Sequence, residues 1–210
     1  QMCIRDSEWH QHAIFQELSC HPASMEAAKC VDAYSCLPGH AEEQSDAEQA
    51  FIQAPIDDSE VETFARIPYE YWPQEWKDQN LKDPVVRVKK ALYGHLDAPG
   101  LWERHLEEGL EKAGFYPINE NWPSVFYHQE LQLFLMVYVD DFKMAGPKEN
   151  IAKGWSLITE QKVDLEPPSS IGLCLGCHHH TFERNYDGVN VRGIQYDMEA
   201  SLLESVEHYK

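Results

Sequence analysis

The sequence predicts an α+β fold: an antiparallel sheet with helices packed on one face. Three observations predict it. Helical and strand periodicities alternate irregularly along the chain. The strand-like runs are short and joined by turn-sized segments, which favours antiparallel pairing. Finally, Leu131 to Val139 is apolar on both faces, as a strand covered on both sides requires.

The elements follow in order. From Ser24 to Leu37 the pattern is helical, with Ser24 as cap and Met25, Ala28, Val31 and Tyr34 recurring every three residues. Pro38-Gly39 ends it. Asp46 to Ala54 reads as a strand running into a turn or short helix. Residues 55–84 are rich in proline, aspartate and aromatics and read as a long connection with at most short strands. Val85 to Val88 is a strand. Pro99 to Ala113 is the clearest helix: Trp102, Leu106, Leu110 and Ala113 form one stripe, and Asp97 stands at the N-cap. Glu108 and Lys112 pair on its outer face, and Gly114 stops it. Ser124 to Tyr127 and Leu131 to Val139 are strands, and Phe142 to Ala145 is the hairpin return. Pro147 opens a helix carrying Ile151, Trp155 and Ile158 on one side. Ile171 to Gly176 is a last short strand. The chain divides into an irregular segment 1–22 (1–7 resembling a translated adaptor scar, non-native), a main region 23–180, and a truncated segment 181–210.

The 210 residues suffice for one domain with a core, and 43% hydrophobic with 11% aromatic residues favour a globular chain over a disordered one. No run approaches the roughly 18 apolar residues of a membrane span. The start, Gln1-Met2-Cys3-Ile4, lacks a secretory leader and an initiating methionine, as in a piece of a longer reading frame. The 6 cysteines are irregularly spaced, which points to reduced thiols in an intracellular protein. The net charge of −19, from 17 basic and 36 acidic residues, runs against a protein that grips a phosphate backbone unaided.

Asp140-Asp141 directly follow the buried strand. Neighbouring strand residues face opposite ways, so both carboxylates converge only where the chain turns. Two such groups at a hairpin tip suit a hard divalent cation. A third carboxylate, with Asp46 as the candidate, would allow two ions about 4 Å apart to clamp a phosphoryl transfer. The plain alternative is a solvated Asp-Asp turn.

The order of motifs adds a resemblance. Asp46 with Phe51, then Lys90-Ala91-Leu92-Tyr93-Gly94 with Ala98-Pro99 and Trp102, then Tyr138-Val139-Asp140-Asp141, resembles the reverse transcriptase of Ty1/copia-type retrotransposons. The similarity covers roughly residues 24–180, and Leu175-Gly176-Cys177 is similar to the family's strand before the thumb. The resemblance implies a polymerase palm-like sheet with partial fingers and no thumb. It implies an RNA-directed DNA polymerase within a polyprotein that also holds integrase and RNase H. Asp46, Asp140 and Asp141, with the Ala47 carbonyl, would hold two Mg²⁺ ions, with Mn²⁺ as the alternative. Phe51 would exclude a 2′-hydroxyl; Lys90, Tyr93 and Gly94 would contact the nucleotide; Tyr138 would lie at the primer end. Partners would be an RNA or DNA template with primer, and dNTP, in the cytoplasm with the nucleus as second compartment, and no membrane.

The second block departs from the family, which reads Gly-Leu-Lys-Gln-Ala-Pro-Arg. Here it is Gly94-His95-Leu96-Asp97-Ala98-Pro99-Gly100, with two basic groups and an amide gone and an acid gained. That departure and the charge leave an inactive remnant or binding module as the alternative. Lys89, Lys90 and Lys143 read as solvated surface groups, as do Glu42-Glu43. Trp72, Trp76 and Trp122 read as packing or loop anchors. Cys174-Leu175-Gly176-Cys177-His178, followed by His179 and His180, offers a more distant Cys/His metal or haem site, against a strand edge entering a polar loop.

Overall fold

A computed structural model describes residues 22–56 and 62–209. The segment 1–21, which holds nearly all of the irregular N-terminal stretch, lies outside the described residues. Two compact units are formed, one containing Gln49–Leu106 and the other His21–Glu48 with Glu107–Lys210.

The first unit holds α2 (Ala50–Gln53), β2 (Phe64–Arg66), a 3-10 turn at Tyr69–Tyr71, α3 (Gln74–Asp78), β3 (Val85–Arg87) and the start of α4 (Ala98–Lys112). β2 and β3 pair antiparallel. The core is Ala54, Ile56, Ala65, Val88, Ala91, Ala98 and Leu101, against which Phe51, Val86 and Leu92 pack. Trp72 donates to the Ile67 carbonyl at 2.7 Å and its ring meets those of Tyr69 and Trp76, so these tryptophans anchor their loop.

The second unit is built on six antiparallel strands in the order β4-β5-β6-β7-β1-β8. These are β1 (His40–Asp46), β4 (Tyr116–Pro117), β5 (Val125–His128), β6 (Leu133–Tyr138), β7 (Asp141–Pro147) and β8 (Ser169–Ser170). A second sheet, β11-β10-β9, comprises β9 (Leu173–Cys174), β10 (Cys177–Tyr186) and β11 (Val189–Asp197), and α6 (Glu199–His208) follows.

Helices cover both faces of the large sheet, which corrects the one-faced arrangement the sequence suggested. On one face α1 (Met25–Ser35) packs Ala27, Ala28 and Val31 against Val125, Met136 and Ala145. On the other, α5 (Lys148–Glu160) brings Gly154 onto Leu133 and Met144, and Trp155 donates to Glu43 at 2.9 Å. The reason lies in β6 and β7: apolar residues alternate onto both sides, so each side must be kept from water.

Other expectations met the structure unevenly. Ser24 caps α1 by accepting from the Ala27 amide at 3.2 Å, but Met25 is exposed and the buried stripe runs through Ala27, Val31 and Asp32. The α4 stripe Trp102, Leu106, Leu110 and Ala113 is buried, and the Asp97 carbonyl accepts the first helical bond, from Leu101. Glu108 and Lys112 pair at 3.6 Å, and Gly114 leaves the helix at φ +88°, a conformation that favours glycine. β1 begins at His40, well before Asp46, because its polar sequence hides it from any apolar pattern. β10 runs unbroken across residue 180.

Candidate active site

β6 and β7 are joined by Val139 and Asp140 alone, a two-residue hairpin loop. Val139 adopts φ +61°. A β-branched residue there is strained, and positive φ at the first loop position is the pattern of a type II′ turn. The turn is held from the side: the Ala47 amide donates to the Asp140 carbonyl at 2.8 Å. Because β1 lies beside β7, the ladder ends with Asp46 across from Asp141, and Tyr138 stands across from Asp141 on the other side. Paired residues share a face, so three chain segments bring their polar ends to one sheet corner.

β1 is fixed in this position by the stretch after α5. The Glu166 amide donates to the Asp46 carbonyl at 2.8 Å, and Ser45 Oγ donates to the Glu166 carbonyl at 2.6 Å. Ala47 is buried and bridges to Leu165.

The electrostatics show the convergence. Asp141 is half-buried and its carboxyl is pushed up to about 6, first by burial, then by the charges of Asp46 and Asp140. Like charges raise a carboxyl pKa in this way only when they are close. Among the described residues no group of three His, Cys, Asp or Glu forms a set that could hold a metal ion, so Asp46, Asp140 and Asp141 share a corner without making a formed ligand set. The donors are all oxygens and carry surplus negative charge, so the donor chemistry suits a hard divalent cation.

The remaining predicted contacts belong to the first unit. Phe51 and Tyr93 pack ring to ring, centroids 4.8 Å apart. Lys90 Nζ donates to the Gln53 carbonyl at 2.5 Å, at the end of α2. Gly94 adopts φ +90° with open space where a side chain would stand. Tyr138 alone of these lies in the second unit, exposed at the tip of β6.

Two readings of charged residues are corrected. Lys143, expected at the surface, is 1% exposed, and Glu42 is buried as well. Lys143 lies two residues after Asp141 on the same face of β7, where α1 and the β10–β11 hairpin cover it. Its Nζ lies 2.5 Å from Asp32 Oδ1 and 3.6 Å from Glu42 Oε1. Tyr196 of β11 donates to Asp32 Oδ2 at 2.5 Å, and His179 Nε2 of β10 lies 3.4 Å from Lys143 Nζ. Sequence reasoning missed this network. Its one signal was a lysine between Phe142 and Met144 in an otherwise apolar strand.

The Cys/His alternative is divided by the pleat. Cys174 and Cys177 stand opposite each other across the β9–β10 turn, with both thiols free. His179 shares the face of Cys177 and is taken up by the buried network, while His178 and His180 point to the other face, where their rings stack. The polar loop expected after Cys177 is a long hairpin strand.

A mixed α+β protein with three aspartates gathered at a strand-turn corner is the class that fold and site define. The model of the family "Reverse transcriptase (RNA-dependent DNA polymerase)" matches residues 9–206. The chain belongs to that family. It is also 32% identical over 134 residues, 63% of its length, to the "Retrovirus-related Pol polyprotein from transposon RE2" of Arabidopsis thaliana. It spans 9% of the length of that relative. No helix among the described residues is long and apolar enough to cross a membrane.

Proposed function

We propose that this chain is the palm-type catalytic region of a copia-type retrotransposon polyprotein and joins a dNTP to a primer 3′ end by two-metal nucleotidyl transfer. The observation that carries the reading is the pairing of Asp46 with Asp141, with Asp140 close enough to raise the Asp141 carboxyl. Asp46, Asp140, Asp141 and the Ala47 carbonyl would hold two Mg²⁺ ions, with Mn²⁺ as the alternative. Those ions would supply Lewis acidity toward the primer hydroxyl and neutralise the triphosphate. The chain's own part is to fix the carboxylates: the Ala47–Asp140 bond and the β1–β7 ladder keep three segments in one register. Tyr138 would lie beside the primer end. Phe51, backed by Tyr93, would close the space a 2′-hydroxyl needs. Lys90 and Gly94 would approach the nucleotide. Integrase and RNase H segments of the polyprotein would be its covalent partners, and its setting would be intracellular, in cytoplasm and nucleus.

A second reading, a non-catalytic remnant or binding module, is favoured by the charge of −19 and by Leu96, Asp97 and Gly100 where the family carries Lys, Gln and Arg. One assay separates the two. Purified protein receives a primed RNA template, dNTPs and Mg²⁺, beside an Asp140→Asn control. The catalytic reading expects extension by the unaltered chain only. Extension by both proteins or by neither would defeat it.

A further inference from the structure

We propose that Lys143 is a positioning residue: with Asp32 and Glu42 it forms a buried charge knot that fixes the β10–β11 hairpin on the carboxylate-bearing face of the sheet. Any consequence for catalysis rests on the polymerase reading above; the docking does not, and is tested without substrate.

The knot joins five elements. Asp32 comes from α1, Glu42 from β1, Lys143 from β7, His179 from β10 and Tyr196 from β11. Only the last two belong to the hairpin, and both reach inward, so the hairpin's side-chain to side-chain attachment runs through Asp32 of α1 and Lys143 of the large sheet. His179 has a consistent role. Its Nδ1–H donates to the Cys177 carbonyl at 3.0 Å, which leaves Nε2 to accept from the Lys143 ammonium. Arg192 adds a backbone tie, donating to the His40 carbonyl at 2.8 Å.

Hydrophobic cover is scant at this junction, since Val189, Val191 and Tyr196 of the hairpin are exposed. A buried ammonium and two carboxylates are costly unless each is paired. Separating the hairpin removes Tyr196 and His179 from Asp32 and Lys143, so docking and charge satisfaction are one event. The hairpin's turn with β9 also places Cys174 close enough to feel both Lys143 and Asp141.

The knot carries its own proton. Neither Glu42 oxygen has a hydrogen-bond partner and the Lys143 ammonium stands 3.6 Å away, so the ionised form is poorly satisfied beside the Asp32 carboxylate. Burial and the Asp32 charge push Glu42 up to about 8, against an ordinary 4.5. The groups facing it are Asp32 and Ser35 from α1, Cys36 just after it, Lys143 from β7, Cys174 from β9, His179 from β10, and Arg192 and Tyr196 from β11. Since the docked state holds a proton that an opened state releases, docking weakens as pH rises from about 4.5 through 8.

Backbone hydrogen exchange, corrected for intrinsic rate, reads this directly. Tyr196→Phe deletes one hydroxyl on a partly exposed ring and leaves the fold intact. We expect it to speed exchange in β10–β11 about tenfold while β6–β7 stays protected, the size of a lost hydrogen bond to a charged group. In the unaltered protein, hairpin exchange rises between pH 6 and pH 9, and Glu42→Gln removes the rise. Equal acceleration in both sheets, no acceleration in either, or an unchanged pH slope in Glu42→Gln would overturn the proposal.

Discussion

Asp46 stands directly across from Asp141 in the β1–β7 ladder, which makes the last rung of that ladder a pair of like charges. A sheet does not place two carboxylates opposite each other for stability, because directly opposed like charges repel. The arrangement costs the fold something that protonation of one carboxyl, or a bound cation, would relieve.

That cost has a pH signature. Asp141 is raised to about 6 from an ordinary 3.8. A carboxyl raised on folding favours the fold most below its ordinary value, and the benefit is lost as pH rises through the raised one. Without divalent ions, stability should therefore fall between pH 4 and pH 6.5, and Asp141→Asn should flatten that part of the profile. Thermal melts across pH check it, and Mg²⁺ should raise the melting temperature more at pH 7.5 than at pH 5.

Val139 at φ +61° carries strain that glycine would not. Val139→Gly should be stabilising or neutral, within about 1 kcal/mol, although most substitutions in a hairpin destabilise. Urea unfolding measures it. A loss above about 2 kcal/mol would mean that the Val139 side chain contributes more than its backbone costs.

Gly146 fixes how β7 passes β6. A Cβ there would lie 2.6 Å from the Gln132 carbonyl oxygen and 2.8 Å from Leu133 Cδ2. Backbone cannot yield as a side chain can, so Gly146→Ala should cost about 2–3 kcal/mol. Because β7 also carries Asp141, the shift in strand position should lower nucleotide addition by more than the folded fraction accounts for.

Phe51, packed on Tyr93, is the residue proposed to exclude a ribose. Phe51→Val should raise ribonucleotide incorporation relative to deoxyribonucleotide by about tenfold or more, since a steric boundary of this size is worth 1–3 kcal/mol. Single-nucleotide extension with rCTP and dCTP reads the ratio. An unchanged ratio would return Phe51 to the role of a core aromatic.

The sequence by itself determined the periodic elements and the family. Helices α4 and α5 are written in the spacing of Trp102, Leu106 and Leu110 and of Ile151, Trp155 and Ile158, because burial of one stripe is a local property of sequence. The ordered blocks at Asp46, Lys90 to Trp102 and Tyr138 to Asp141 pointed to a reverse transcriptase, and the family match over residues 9–206 bears that out. Tertiary structure alone decided the rest. β1 reads as polar, and is a strand only because β7 and β8 pair with its backbone on both sides. Glu42 and Lys143 look like surface charges, and are buried because Asp32, from α1, and the distant hairpin close over them. Pairing and ion matching join residues more than a hundred positions apart, and no local pattern of hydrophobicity records them. The same holds for the site proposed to carry function: the sequence supplied three aspartates, and the register of β1 on β7 brought Asp46 beside the Asp140-Asp141 turn.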